Sequence, residues 1–356
     1  MKKFALILLL QTFFIVIKAQ NTPIYSNEFL NIGVGARALA MGNTQAAIVQ
    51  DVTSGYWNPS GLLGIKKRYE VALMHSEHFG GIAQYDYASF ATRVDSTSAI
   101  GASIIRFGVD DIPDTRFLYD ANGNINYNNI RFFSAADYGF LVTYAKKIKG
   151  WELGANFKII YRNAGNFANA FGFGMDAGIQ RKFRTWQVGL MLRDVTTTFN
   201  TWTHNTSLLF NVYTQTGNQI PRTSTEITLP RAMLGVAKTI KFNEKLEGIL
   251  ALDAVVTSDG RRNTLLANDY FSLDPSAGFE LGYQKMIFLR AGINQYQRIK
   301  NFDGTMYGQA RLNFGLGIVI KNFTIDYALT RNNVERNANA LYSNIFSVKV
   351  AFDKIK

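Results

Sequence analysis

The chain of 356 residues has no cysteine, six prolines and three histidines, and only 18% of its residues are charged. Each shortage closes a route. Without cysteine there is no disulfide, no thiolate and no attachment point for a lipoprotein anchor. His75, His78 and His204 are the only imidazoles. Residues three apart on a strand face opposite sides, so His75 and His78 do not readily share a metal ion. No grouping of nucleophile, base and orienting partner is visible, so the chain reads as a non-enzyme that needs no cofactor. After the first twenty residues, no apolar run approaches the roughly 20 residues that a membrane-crossing helix requires.

The first twenty residues are different. Met1-Lys2-Lys3 precedes an apolar run from Phe4 to Ile17, broken by Gln11 and Thr12 and followed by Ala19-Gln20. A basic start, a short apolar core and a small residue at the end describe a secretory signal peptide, 1–19, cut after Ala19. Aromatic residues make up 13% of the chain and there are 30 glycines. A formal charge of +12 would by itself suit nucleic acid. Low charge with many aromatics suits instead a transmembrane β-barrel, whose lipid face is spread over alternate residues. Nucleic acid is not expected as a partner.

From about residue 66 the dominant period is two. Trp151, Leu153, Ala155, Phe157 and Ile159 alternate with Glu152, Gly154, Asn156 and Lys158. Phe171, Phe173, Met175, Ala177 and Ile179 alternate with Gly172, Gly174, Asp176, Gly178 and Gln180. Strand side chains alternate faces, so each such segment has one apolar and one polar side. About fourteen occur: 67–76, 79–93, 97–109, 138–148, 151–162, 170–182, 185–198, 230–240, 245–257, 275–284, 286–298, 307–320, 322–330 and 343–353. After the second segment the connections alternate between short (149–150, 183–184, 285, 321) and longer (110–137, 199–229, 258–274, 331–342). Short turns at one end and long loops at the other mark an outer-membrane barrel of antiparallel strands, with both termini at the periplasmic end.

The segment 20–65, ahead of the first strand, poses a separate question. Gly33-Val34-Gly35-Ala36-Arg37-Ala38 satisfies the G-x-G-x-x-A form of a dinucleotide fingerprint. That fingerprint works only between a strand and a helix of a parallel sheet, and no such sheet is available here. The small residues then serve packing, because Gly33, Gly35, Ala36 and Gly42 let backbone approach backbone. Asn58 before Pro59 suits the cap and first residue of a short helix. A barrel of fourteen strands leaves a lumen, and a compact segment just upstream of its first strand is placed to plug it.

Gly35-Ala36-Arg37-Ala38, Met41-Gly42 and Trp57-Asn58-Pro59-x-Gly61-Leu62, within residues 29–63, closely resemble the amino-terminal signature of the PorV/PorQ family. That family is similar to the FadL-type outer-membrane barrels. The resemblance implies an outer-membrane protein of a Bacteroidetes-type bacterium with a lumenal plug. It implies for some members service to the type IX secretion system, where they receive cargo delivered across the outer membrane.

Alternation turns Glu152, Lys158, Arg162, Asp176, Arg193, Asp253, Glu280, Arg290, Asp326 and Lys349 toward the lumen, where mutual pairing is expected; Arg37 should meet one of the acids. Basic residues gather at the predicted periplasmic turns, among them Lys146, Lys149, Lys182, Arg184, Lys285 and Lys321. Asp120-Ala121-Asn122-Gly123-Asn124 looks like the start of a calcium loop but lacks its closing Glu, and reads as a turn. Two functions follow as expectations. One is a non-enzymatic protein-binding platform for exported cargo or a secretion translocon; the other is a FadL-like transporter of hydrophobic small molecules. Loops 110–137 and 199–229 carry candidate contacts for the first, namely Phe117, Tyr119, Phe132 and Phe133, and Trp202, Leu208, Leu209 and Phe210. Outer-membrane lipid is the remaining expected partner.

Overall fold

Alternation along the strands is reproduced in the surroundings of their side chains, but inverted relative to a soluble protein. On the strand Met306–Ile320, the large apolar groups Leu312, Phe314, Leu316 and Ile318 are all exposed, whereas Asn313 between them is buried. Elsewhere Val142, Phe157, Leu234, Leu252 and Ile325 are exposed, while Thr143, Asn156, Lys158, Asp253 and Asp326 are buried. An apolar band over the outside and polar groups within is unstable in water and stable in a bilayer.

The computed structural model describes residues 25–120, 122–219, 223–301, 303–332 and 341–354. The expected signal peptide lies outside the described residues. Strands β1 (Tyr69–His78), β2 (Ala83–Arg93), β3 (Ser98–Asp114), β4 (Arg131–Ile148), β5 (Trp151–Ala164), β6 (Ala168–Phe183) and β7 (Trp186–Arg193) follow one another as antiparallel neighbours. Then come β8 (Thr198–His204), β9 (Ser224–Thr228), β10 (Arg231–Lys241), β11 (Leu246–Thr257), β12 (Leu266–Ala267), β13 (Ser272–Tyr283), β14 (Ile287–Lys300), β15 (Met306–Ile320), β16 (Phe323–Asn332) and β17 (Leu341–Phe352). The last strand pairs with the first from Tyr69 opposite Phe352 to Ser76 opposite Ile345, closing the ring. A closed ring satisfies every backbone group at membrane depth and leaves no edge.

Fourteen strands make the wall, because three of the seventeen are local additions. Chain β7–β8 is one wall strand broken at 194–197, and β9–β10 is the next, broken at 229–230. The inner half of β6 pairs with β7 and its outer half with β8. Asp194 and Thr197 both take positive φ at the break, and Val195 N donates to Met175 O at 2.9 Å to hold it shut. Strand β12 is a two-residue ladder on β13.

Two of the expected long loops are largely regular. Strand β3 continues to Asp114 and β4 begins at Arg131, so 110–137 is mostly hairpin. Residues 199–229 hold β8, the helix Thr206–Gln215 and β9. At about 3.3 Å per residue and a tilt near 40°, the 17 residues of β3 stand roughly 43 Å tall, against an apolar band of about 25 Å. This hairpin therefore rises well beyond the membrane. At its tip Asn124 N and Asn122 N donate to Asp120 Oδ1 at 2.9 and 2.8 Å, and these bonds hold its carboxyl below the usual range. The Asp120 side chain thus closes a turn.

Candidate functional site: the plugged lumen

Residues from Ser26 to Ile65 lie within the ring, and most are buried. Gly33-Val34-Gly35 enters the single-turn helix Ala36–Ala40, and the chain leaves it by a left-handed Gly42, φ +63°. Gly42 N bonds Leu39 O and Asn43 N bonds Ala38 O, the paired closure of a Schellman motif. Asn58 then caps the 3-10 helix Pro59–Gly64 by accepting from Ser60 N, with Pro59 at its first position. Trp57 Nε1 donates to Val34 O at 2.9 Å and Tyr56 Oη to Leu30 O at 2.6 Å, tying the two halves of the plug together. Leu39, Val34, Trp57, Leu62 and Ile65 join Tyr85, Ile105, Leu141 and Ile160 of the wall in one apolar core.

The wall meets this irregular backbone with side-chain donors and acceptors. Arg193 donates to Leu30 O and Tyr56 O at 3.1 and 2.7 Å. Asp253 Oδ2 accepts from Gln45 N and Ala46 N, each at 2.8 Å. Glu70 accepts from Val52 N, Ser347 Oγ from Ala36 N, and Asn156 Nδ2 donates to Gly55 O. Ion pairs complete the join. Arg37 Nε and Nη2 donate to Glu280 at 2.8 and 2.9 Å, and Lys349 pairs with Asp51. Arg290 bridges Glu280 and Asp326 in the wall at 2.6 and 2.7 Å, and Lys158 joins Asp176 and Asp194 behind the strand break. The expected lumenal charges are therefore largely paired.

Every plug residue singled out in the sequence is assembled here. Gly33, Ala36, Met41, Trp57, Asn58, Pro59 and Gly61 are buried, and a side chain on Gly61 would start 2.1 Å from Val49 O. Gly35 differs from the packing expectation. It needs its backbone freedom, φ +82°, but a Cβ there would have room, 3.7 Å from Thr53. Sequence reasoning missed the other half of the fit. Wall glycines form sockets: a Cβ on Gly292 would lie 2.2 Å from Gly42 N, on Gly189 1.9 Å from Ala46 O, and on Gly178 2.0 Å from Asn58 Oδ1. The signal was visible as glycine recurring on the polar alternation, as at 154 and 178, both of which meet the plug at residues 58–60.

The outer candidates divide. Phe117, Tyr119, Phe132 and Phe210 are exposed, at 46, 65, 65 and 52%. Phe133 instead stacks edge-on against Phe167 with ring centres 4.9 Å apart, and Trp202 lies under the Arg162 guanidinium at 5.0 Å. Leu208 and Leu209 are half-buried on the helix, where Leu208 O accepts from Arg116.

The plug divides the lumen into two chambers. The outer one, about 190 Å³, lies between the plug and β10, β11, β13 and β14; the inner one, about 470 Å³, opens toward the short turns. Eight cationic and four acidic side chains line the inner chamber, among them Lys66, Lys182, Lys285 and Lys321. Polar and charged residues predominate in the lining of both chambers.

No family model matches this chain, and no curated protein matches its sequence. Solved structures do match in fold. CymD, a monoaromatic hydrocarbon channel, shares 12% identity over 91% of this chain and 98% of its own, with a TM-score of 0.58. The Ralstonia pickettii toluene transporter TbuX shares 14% over 90% and 98%, with a TM-score of 0.55. A Pseudomonas aeruginosa FadL homologue shares 12% over 88% and 97%, with a TM-score of 0.50. At such identities the likeness is one of architecture: the chain has the fold of a FadL-like, closed barrel of fourteen antiparallel strands.

Proposed function

We propose that this chain is a plugged outer-membrane passage for a small solute, closed in the state described. The observation that carries the reading is a lumen cut by a non-covalently held plug into two chambers, one toward each side of the membrane. The full-length likeness to hydrocarbon channels supports passage over a purely structural role, and makes toluene-like hydrocarbons the first cargo to try. Purification from native membranes in mild detergent, followed by extraction, should recover a small molecule with the wild-type barrel. Recovery of none, with no solute entering liposomes even when the plug is loosened, would overturn the reading.

A second reading rests on a different observation. Residues 29–63 resemble the PorV/PorQ signature, and the β3–β4 hairpin carries exposed Phe117, Tyr119 and Phe132 beyond the membrane. Large apolar groups presented to water on a rigid hairpin suit a protein partner. In this reading the barrel is an outer-membrane platform associated with type IX secretion in a Bacteroidetes-type bacterium, gripping exported cargo or the translocon. The same purification separates the two, because co-purifying proteins favour the platform and extractable solute the passage.

A further inference from the structure

The outer chamber holds an imbalance that neither reading uses. Four buried side-chain oxygens of residues that line it have neither a hydrogen-bond partner nor an ion pair: Asn43 Oδ1, Asp253 Oδ1, Thr257 Oγ1 and Asp274 Oδ1. Acceptors dominate that set, so what fills the chamber must donate hydrogen bonds. Charge points the same way. The cations nearby are already committed: Arg262 to Asp259 with two bonds, Arg193 to plug carbonyls, and Arg231 between Glu28 and Asp194. Among the described residues, no cation stands within ion-pair distance of Asp253 or Asp274, and Arg262 acts on Asp274 only from further away. Asp253 lines the chamber; it spends Oδ2 on the plug backbone, and its Oδ1 is buried without a partner.

Register brings the two carboxylates together. Asp253 stands opposite Ser276, and Val255 opposite Asp274, so the two acids are diagonal neighbours on the lumenal face of β11 and β13. Asn43 of the plug lines the same chamber, and Thr257, buried with a free hydroxyl, lies two residues above Val255. Two carboxylates with no ion-pair partner, set beside further free acceptors, suit a cationic hydrogen-bond donor. Among the described residues no three acidic or histidine side chains stand close enough to hold a metal ion. We propose that the outer chamber binds a small organic ammonium ion, clamped between Asp253 and Asp274 of the wall and Asn43 of the plug. An ammonium carries three donors on one charge, which matches the free oxygens present. Such a ligand is held and not passed on, because the inner chamber beyond the plug is lined by twice as many cations as acids. Its seat spans plug and wall, so occupancy ties the two together.

The test uses the full-length barrel purified in detergent, with putrescine as the probe and 1,4-butanediol as its uncharged counterpart, by titration calorimetry and thermal melting. Putrescine should bind saturably and raise the melting temperature, 1,4-butanediol should do neither, and Asp274→Asn should weaken putrescine at least tenfold. Asp274 makes no contact with the plug backbone, so this variant keeps the barrel and plug intact; Asp253→Asn is the second variant, read only where its heat-modifiable migration is normal. No binding of putrescine at millimolar concentration, or equal affinity in wild type and Asp274→Asn, would show that the chamber merely holds water. Loss of binding leaves the passage reading untouched, since solute recovery and liposome entry are scored separately.

Discussion

The Arg37–Glu280 pair offers the most direct probe of whether the plug is a separable part. Arg37 reaches Glu280 through two N–H donors at 2.8 and 2.9 Å, and Arg290 donates to the same carboxylate at 2.6 Å. Removing one partner of a buried pair usually costs about 3–5 kcal/mol. Arg290 remains on Glu280 after Arg37→Ala, and the Arg37 side chain is 20% exposed, so the loss should be nearer the 2–3 kcal/mol of a charged hydrogen bond. That shifts the ratio of seated to unseated plug by roughly 30- to 150-fold. The absence of cysteine makes the assay clean. Ser54 is fully buried in the plug and its hydroxyl has no partner, so Ser54→Cys places one thiol there without breaking a bond. Maleimide labelling of that thiol in membranes should accelerate by the same 30- to 150-fold in the Arg37→Ala background, with Arg37→Lys between. Unchanged labelling, in a barrel that still shows heat-modifiable migration, would refute the idea that this pair seats the plug.

Three other outcomes follow from the geometry. Gly42→Leu should unseat the plug, because a Cβ there would lie 2.9 Å from both backbone N and O of Ile293, whereas Gly35→Ala meets no clash and should cost only the roughly 1–3 kcal/mol of backbone strain at φ +82°, ψ 122°; the Ser54→Cys label reads both. Gly178→Val should abolish the heat-modifiable band or expose the plug label, since its Cβ would fall 2.0 Å from Asn58 Oδ1. Shortening 199–229 by removing the helix Thr206–Gln215 should abolish co-purification of any protein partner if the platform reading holds; unchanged recovery would move recognition to the basic periplasmic rim.

The wall was legible because its code is local. A period of two, read on Trp151–Ile159 or Leu312–Ile320, needs no knowledge of neighbours, and short turns between such segments set the antiparallel order. What stayed hidden depends on distant partners. The break at Asp194–Thr197 lies inside what reads as a single strand, and it closes only through Met175 and the Lys158–Asp176–Asp194 group on other strands. Asn- and Thr-rich sequence between 198 and 229 suits a loop as well as a hairpin, and pairing of β8 with the outer half of β6 decides between them. For Arg37, the need of an acid was readable and its identity was not, because Glu280 is 243 residues away.

The glycine sockets and the lumenal charges have one explanation, which bears on how the plug can move. The helices of residues 26–65 are only four to six residues long, so end groups with no helical partner make up much of the plug backbone. At membrane depth such backbone is tolerated only where other protein groups satisfy it. Asp253, Glu70, Ser347, Arg193 and Asn156 do so, and they reach because glycines at 178, 189 and 292 let the plug lie directly on the strands. The charged lumen is thus first a lining for irregular backbone. Any displacement of the plug must exchange these bonds for water within the barrel, since lipid offers none. An opening consistent with this would proceed from the two lumenal chambers inward, because a plug displaced into the bilayer through the stitched break at 194–197 would strand its own backbone.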